Sequence, residues 1–209
     1  SDDKKRILDG IIDGALFKDV FILEGLKKPH KLVALAKLLT MQIGYQVSLS
    51  ELASSLEINV GTVERYLDLL EKTFVIKKVY GYSRNLRKEI TKTCRYYFWD
   101  NGIRNALLNN FNGLNLRDDV GQLWENYLFA ERMKKREYVE IFSNIYFWRT
   151  HDRQEIDLVE EREGKLFGYE FKWSNKKALN VKSPRDWKTT YPESEFEVIS
   201  QVNYLDFLK

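Results

Sequence analysis

Glu155-Ile156-Asp157-Leu158-Val159 and Leu166-Phe167-Gly168-Tyr169-Glu170-Phe171-Lys172-Trp173 are the stretches from which the fold is read. Successive side chains on a strand point to opposite faces, so residues two apart share a face. The second stretch then puts Phe167, Tyr169, Phe171 and Trp173 on one side and Gly168, Glu170 and Lys172 on the other. In the first, Ile156 and Leu158 take the apolar side while Glu155 and Asp157 take the polar one. Joined through Glu163-Gly164, the two strands present carboxylates and one ammonium on a common surface. Those residue types can hold a divalent metal and orient an attacking water.

Magnesium favours hard oxygen ligands and keeps several waters, so one or two carboxylates plus substrate phosphate oxygens suffice. Asp157 and Glu170 are the expected ligands, with Lys172 steering the water or balancing phosphate charge, and Glu155 the nearest substitute for Asp157. Taken alone, the two strands read more readily as a half-exposed sheet whose wet face carries a weak surface ion pair. Glu125 shifts the balance. Gly121 to Arg136 has few helix breakers and apolar residues at Leu123, Trp124, Tyr127, Leu128 and Met133, which predicts a helix. One turn along from Glu125 lie Leu128 and Phe129. A carboxylate bordering an apolar stripe is costly unless paired or metal-bound; Arg132 at the helix rim is one available partner.

Glu125, Asp157 and Glu170-Phe171-Lys172 together resemble the helix Glu, strand Asp and Glu-x-Lys strand of the PD-(D/E)XK, or restriction-endonuclease-like, superfamily. The core of that superfamily runs helix, three-stranded meander, helix, strand. The strand pair also looks like that of archaeal Holliday-junction resolvases. The proline of the superfamily name is absent, as Ile156 precedes the Asp. A longer resemblance covers nearly the whole chain: it is similar to the C-terminal region of a prokaryotic group of AAA-type ATPases. The matching segments include Ser50-Glu51-Leu52-Ala53, Thr62-Val63-Glu64-Arg65-Tyr66-Leu67, Tyr97-Phe98-Trp99-Asp100-Asn101-Gly102, Leu123-Trp124-Glu125-Asn126 and Tyr146-Phe147-Trp148-Arg149.

The resemblance implies Mg²⁺, with Mn²⁺ as the alternative, held by Asp157, Glu170 and Glu125, and a nucleophile positioned by Lys172. These four are the expected catalytic residues. It also implies DNA as substrate and an AAA-type ATPase domain as upstream neighbour or partner. The chain has no Gly-rich loop ending in Gly-Lys-Ser/Thr, so no ATP hydrolysis is expected from it.

With 209 residues, 44% of them hydrophobic, the chain can form one large or two small domains. No apolar run approaches the ~20 residues that span a bilayer, and no signal-peptide pattern opens the chain, so no membrane association is expected. Cys94 is the single cysteine, which excludes an internal disulfide and fits a reducing cytoplasm, the expected location. His30 and His151 leave no zinc cluster, and His151 beside Asp152 belongs to an expected hairpin turn.

A net charge of +3 is mild, but its distribution is uneven. Between Lys77 and Arg95 the chain carries seven basic residues (Lys77, Lys78, Arg84, Arg87, Lys88, Lys92, Arg95) and one acid, Glu89. A second basic cluster follows the Glu-x-Lys strand at Lys176, Lys177, Lys182, Arg185 and Lys188. Basic residues around an acidic metal site are what a phosphodiester requires. Arg84, Arg87, Lys88, Lys92, Lys176 and Lys177 are the expected nucleic-acid contacts.

In the N-terminal half, Leu32, Leu35, Ala36, Leu38 and Leu39 mark an amphipathic helix from Lys31 to Met41. Ser50 to Leu56 and Thr62 to Lys72 predict two helices about a short turn, with Ser48 or Ser50 as N-cap. Strands at Phe74 to Tyr80 and Cys94 to Trp99, with a basic loop between, complete a winged-helix reading. The second helix exposes three acids (Glu64, Asp68, Glu71) against Arg65 and Lys72, which argues against a major-groove reader. The aromatic runs Tyr96 to Trp99 and Tyr146 to Trp148 are read as core.

The expected class is α/β (α+β overall): a winged helix-turn-helix domain, then a restriction-endonuclease-like mixed sheet flanked by helices. The expected divisions are a helical remnant of an ATPase region over 1–29, the winged helix over 30–100, a connecting segment over 101–119 and the nuclease-like domain over 120–209. The expected function is a metal-dependent DNA phosphodiesterase module of an AAA-type ATPase. The alternative is a catalytically silent nuclease fold that binds DNA or docks protein for that ATPase.

Overall fold

The computed structural model describes residues 2–10, 28–83 and 94–209. Helix α1 is Asp2–Gly10 and α2 is Pro29–Thr40. Helix α3, Leu49–Leu56, starts where the Ser48 hydroxyl accepts the Glu51 N–H at 3.3 Å. Helix α4, Val60–Lys72, starts where the Asn59 side chain accepts the Thr62 N–H at 2.7 Å. Each cap satisfies an amide that the first turn leaves without an intrahelical partner. Leu32, Leu35 and Leu39 of α2, Leu52 and Leu56 of α3, and Val63, Leu67 and Leu70 of α4 are buried, as the helical spacing requires.

Helix α4 closes with the Val75 N–H returning to Leu70 O at 2.9 Å and Phe74 at φ 57°. A left-handed Phe74 cannot also open a strand, so β1 is Ile76–Gly81 and starts two residues later than the apolar pattern predicts. Strand β2 is Cys94–Phe98. Helix α5, Asn101–Leu108, is capped by Asp100, and a 3₁₀ turn follows at Leu114–Leu116. Buried Arg104 of α5 donates from Nε and Nη2 to Thr40 O at 3.1 and 3.0 Å, closing off a terminal carbonyl of α2.

The chain divides into two compact units, residues 1–78 with 96–117 and residues 79–95 with 118–209. In the second, α6 (Val120–Tyr138) leads into β3 (Asn144–Arg149), β4 (Glu155–Arg162) and β5 (Lys165–Phe171), an antiparallel meander. Short helices α7 (Asn175–Ala178) and α8 (Arg185–Thr190) connect to β6 (Glu195–Ile199), which runs parallel to β5, and α9 (Tyr204–Leu208) follows. Strand β1 runs parallel to β3, so the sheet, in order β2-β1-β3-β4-β5-β6, is mixed. The β4–β5 turn is Glu163-Gly164, both at positive φ (51° and 74°), as the primed two-residue hairpin turns need.

Strict alternation fails in β4. Tyr146 of β3 lies opposite Val159, yet Trp148 lies opposite Ile156, so β4 carries one extra residue between them. Ile156 therefore faces the way Val159 does, packing with Trp148, Leu166, Trp187 and Tyr191. Leu158 pairs instead with Tyr169. The expected shared apolar side for Ile156 and Leu158 is thus replaced by one residue on each face. Both faces of the meander are covered. Asp157, Glu160 and Glu170 are all buried, which removes the surface-ion-pair reading of these strands. Tyr97, Phe98, Phe147 and Trp148 are buried as well. Among the described residues no helix is long and apolar enough to cross a membrane.

Candidate functional site

The bulge that splits Ile156 from Leu158 also sets Asp157. Its Oδ2 accepts the backbone N–H of Phe171 at 2.9 Å, tying the end of the β4–β5 ladder to the Glu-x-Lys segment. Glu170, on β5, and Lys172, just past its end, form an ion pair between Oε1 and Nζ at 2.5 Å. Glu125 projects from α6 with its Oε1 4.0 Å from Arg95 Nη1. The same Nη1 lies 3.5 Å from Asp157 Oδ1, and Arg95 Nη2 donates to Glu155 Oε2 at 2.9 Å. Arg149 Nη1 also approaches that Glu155 oxygen, at 3.8 Å. The four residues expected as catalytic thus lie in one electrostatic neighbourhood, since Lys172 is influenced by Glu170, Asp157 and Glu125 together.

Burial and mutual repulsion set the charge states. Desolvation raises the pKa of Asp157, against the pull of Arg95 and Lys172 and the Phe171 hydrogen bond. Glu170 is pushed up to about 7, first by desolvation and then by the Asp157 charge, with Lys172 opposing both. For Lys172, burial works against the ammonium, but Glu170 and Asp157 outweigh it and its pKa rises. Two adjacent carboxylates that resist ionising together are a common feature of functional sites.

Two observations bear on a metal ion. Glu170 Oε2 is buried with no hydrogen-bond partner among the described residues, a carboxylate oxygen that an incoming cation would satisfy. Against this, no three His, Cys, Asp or Glu side chains among the described residues converge closely enough to hold a metal by themselves. Asp157 and Glu170 fit an ion that takes one or two protein carboxylates and completes its shell with water and phosphate oxygens. A closed protein cage is a poorer fit, because among the described residues Arg95 approaches Glu125 and Asp157 from within the acidic group.

The pairing of Glu125 with Arg132 does not form. Arg132 is bidentate to Glu160 on β4 at 2.6 and 2.8 Å and also donates to Phe207 O at 2.8 Å. Arg95 is the residue that sequence reasoning misplaced, counting it with a basic loop when its side chain is wholly buried among the acids. The signal was present: an arginine inside the apolar run Cys94-Arg95-Tyr96-Tyr97-Phe98 needs an acidic partner indoors. Lys176 and Lys177 sit exposed on α7. Arg84, Arg87, Lys88 and Lys92 lie outside the described residues.

Residues 1–114 match the family model described as Domain of unknown function (DUF8612), and residues 120–203 match Domain of unknown function (DUF4143). Uncharacterized proteins of Mycobacterium bovis and Mycobacterium tuberculosis are each 28% identical over 175 residues, covering 82% of this chain and 38% of theirs. An uncharacterized protein of Haemophilus influenzae is 26% identical over 163 residues, covering 75% of this chain and 37% of its own. The chain thus spans under two fifths of the length of these curated relatives. No solved structure gives a significant match.

Proposed function

We propose that this chain, which belongs to the DUF8612 family, is a metal-dependent DNA phosphodiesterase module that serves an AAA-type ATPase. The observation that carries the reading is a buried carboxylate pair, Asp157 and Glu170, beside Lys172, with one Glu170 oxygen lacking a protein partner. The order of elements supports it: helix α6, the β3–β4–β5 meander, helices α7 and α8, then β6 parallel to β5. That order resembles the helix, meander, helix, strand arrangement of the PD-(D/E)XK core. Helices α3 and α4 followed by β1 and β2 likewise support a winged helix.

Asp157 and Glu170 would hold Mg²⁺ or Mn²⁺, which supplies a polarised phosphate and a bound water of lowered pKa. Asp157 is fixed for this by the Phe171 N–H and cannot swing away without losing that bond. The Lys172 ammonium, held against Glu170, would orient the attacking water and offset charge on the phosphate as it builds. Glu125 would accept from water at the same centre. Lys176 and Lys177 would bind the DNA backbone. The ATPase partner rests on the whole-chain resemblance, and the single Cys94 suits a reducing cytoplasm.

A second reading, a silent nuclease fold that binds DNA or docks protein, is favoured by Arg95, which gives the carboxylates a cation of their own. Titration with Mn²⁺ separates the two. The phosphodiesterase reading expects saturable binding that Glu170→Ala abolishes while the far-UV spectrum stays native. Binding that is absent, or indifferent to Glu170, would favour the silent module.

A further inference from the structure

Arg95 is fully buried, at 0% exposure, in an otherwise apolar strand. An isolated guanidinium there would be prohibitive, so its place depends on the acids around it. Its fork spans three of them: Glu155 at 2.9 Å, Asp157 at 3.5 Å and Glu125 at 4.0 Å. The Phe147 ring lies 4.6 Å from its guanidinium carbon and fixes its plane. Asp157 has only two oxygens to offer. Oδ2 accepts the Phe171 N–H and Oδ1 faces Arg95, so a metal drawing on either oxygen binds a carboxylate whose charge Arg95 already offsets. An arginine cannot withdraw that charge by losing a proton.

We propose that Arg95 is an internal counter-cation that competes with divalent metal for Asp157. It keeps the carboxylates converged when no metal is bound and holds the intrinsic metal affinity low. The inference rests on the reading of Asp157 and Glu170 as metal ligands. It makes metal loading depend on substrate, because phosphate oxygens restore the negative charge that Arg95 offsets, and the coupling is reciprocal.

The test is an Mn²⁺ titration followed by the electron paramagnetic resonance of the free ion, with the native chain and Arg95→Met. A double variant, Arg95→Met with Glu155→Met, replaces the buried arginine and its half-exposed hydrogen-bonded partner by apolar groups, so that no carboxylate is left without its cation at that contact. It covers the case in which the single variant fails to fold. Each is repeated with Glu170→Ala. Both folded Arg95 variants are expected to bind Mn²⁺ at least about tenfold more tightly than the native chain, since a fixed positive charge beside the ligands is gone. Glu170→Ala should remove that binding. Unchanged or weaker affinity in a folded Arg95 variant, with native binding intact, overturns the role of Arg95 alone. No Glu170-dependent binding in any chain overturns the metal-site reading and this inference with it.

Discussion

Glu170 is the residue at which burial, repulsion and pairing meet, and its titration is a stability statement. Folding raises its pKa from 4.5 to about 7, so the folded chain holds this proton more tightly than the unfolded one. Its contribution is therefore complete below about pH 4.5 and is lost as the pH rises through about 7. Asp157 shifts in the same direction and adds to the trend. In urea unfolding with a chelator present, stability should fall from mildly acid to neutral pH, and Glu170→Gln should flatten that fall. An unchanged slope in the variant would show that Glu170 is not the titrating group. Asp157, Glu170 and Lys172 were legible as candidates because strand alternation is local. The burial of Arg95 was signalled by its apolar run, but its partner was not, because Glu155 is sixty residues away and only the folded sheet brings them together.

At the scale of elements, the β4 bulge and the glycine opposite it decide how the meander packs. A Cβ on Gly168 would sit 3.2 Å from Ile156 and 3.5 Å from Trp187, closer to Ile156 than ordinary contact permits. Gly168→Ala should destabilise the chain by ~1–3 kcal/mol through overpacking, read from chemical denaturation. A neutral result would mean that Ile156 can yield. The other face rests on Arg132 and Glu160, both buried and doubly bonded. Arg132→Ala should cost ~3–5 kcal/mol by leaving buried Glu160 with the looser Arg162 contact at 3.5 Å, whereas Arg132→Met with Glu160→Leu should recover most of that. Equal losses in both chains would contradict the ion-pair account. The meander and its turn were readable from apolar period, and the longer helices to within two residues at their ends. The bulge was not, since one extra residue leaves no mark in composition, and neither was Phe74, whose left-handed turn ends a helix where the pattern suggests a strand.

At the scale of the molecule, Lys176 and Lys177 stand exposed on α7, shortly after the Glu-x-Lys segment, and on the proposed reading DNA affinity should follow their charge. Replacing Lys176 and Lys177 together by Ala should weaken binding evenly across sequences and reduce the salt slope by up to ~2, at ~0.9 per phosphate contact. A slope equal to that of the native chain would remove α7 from the interface. The compact units do not follow the expected divisions, since residues 79–95 group with 118–209. That β1 and β2 belong to the same sheet as the meander was not visible in the sequence, because the parallel pairing of β1 with β3 joins segments far apart in sequence. The most direct measurement is a cleavage assay. Supercoiled, linear, single-stranded and four-way-junction DNA would be incubated with Mg²⁺ or Mn²⁺ and either the native chain or Lys172→Ala. The account predicts metal-dependent cleavage of at least one substrate by the native chain and none by the variant. Cleavage that survives in Lys172→Ala, or DNA retained uncut by both chains with metal bound, would contradict it.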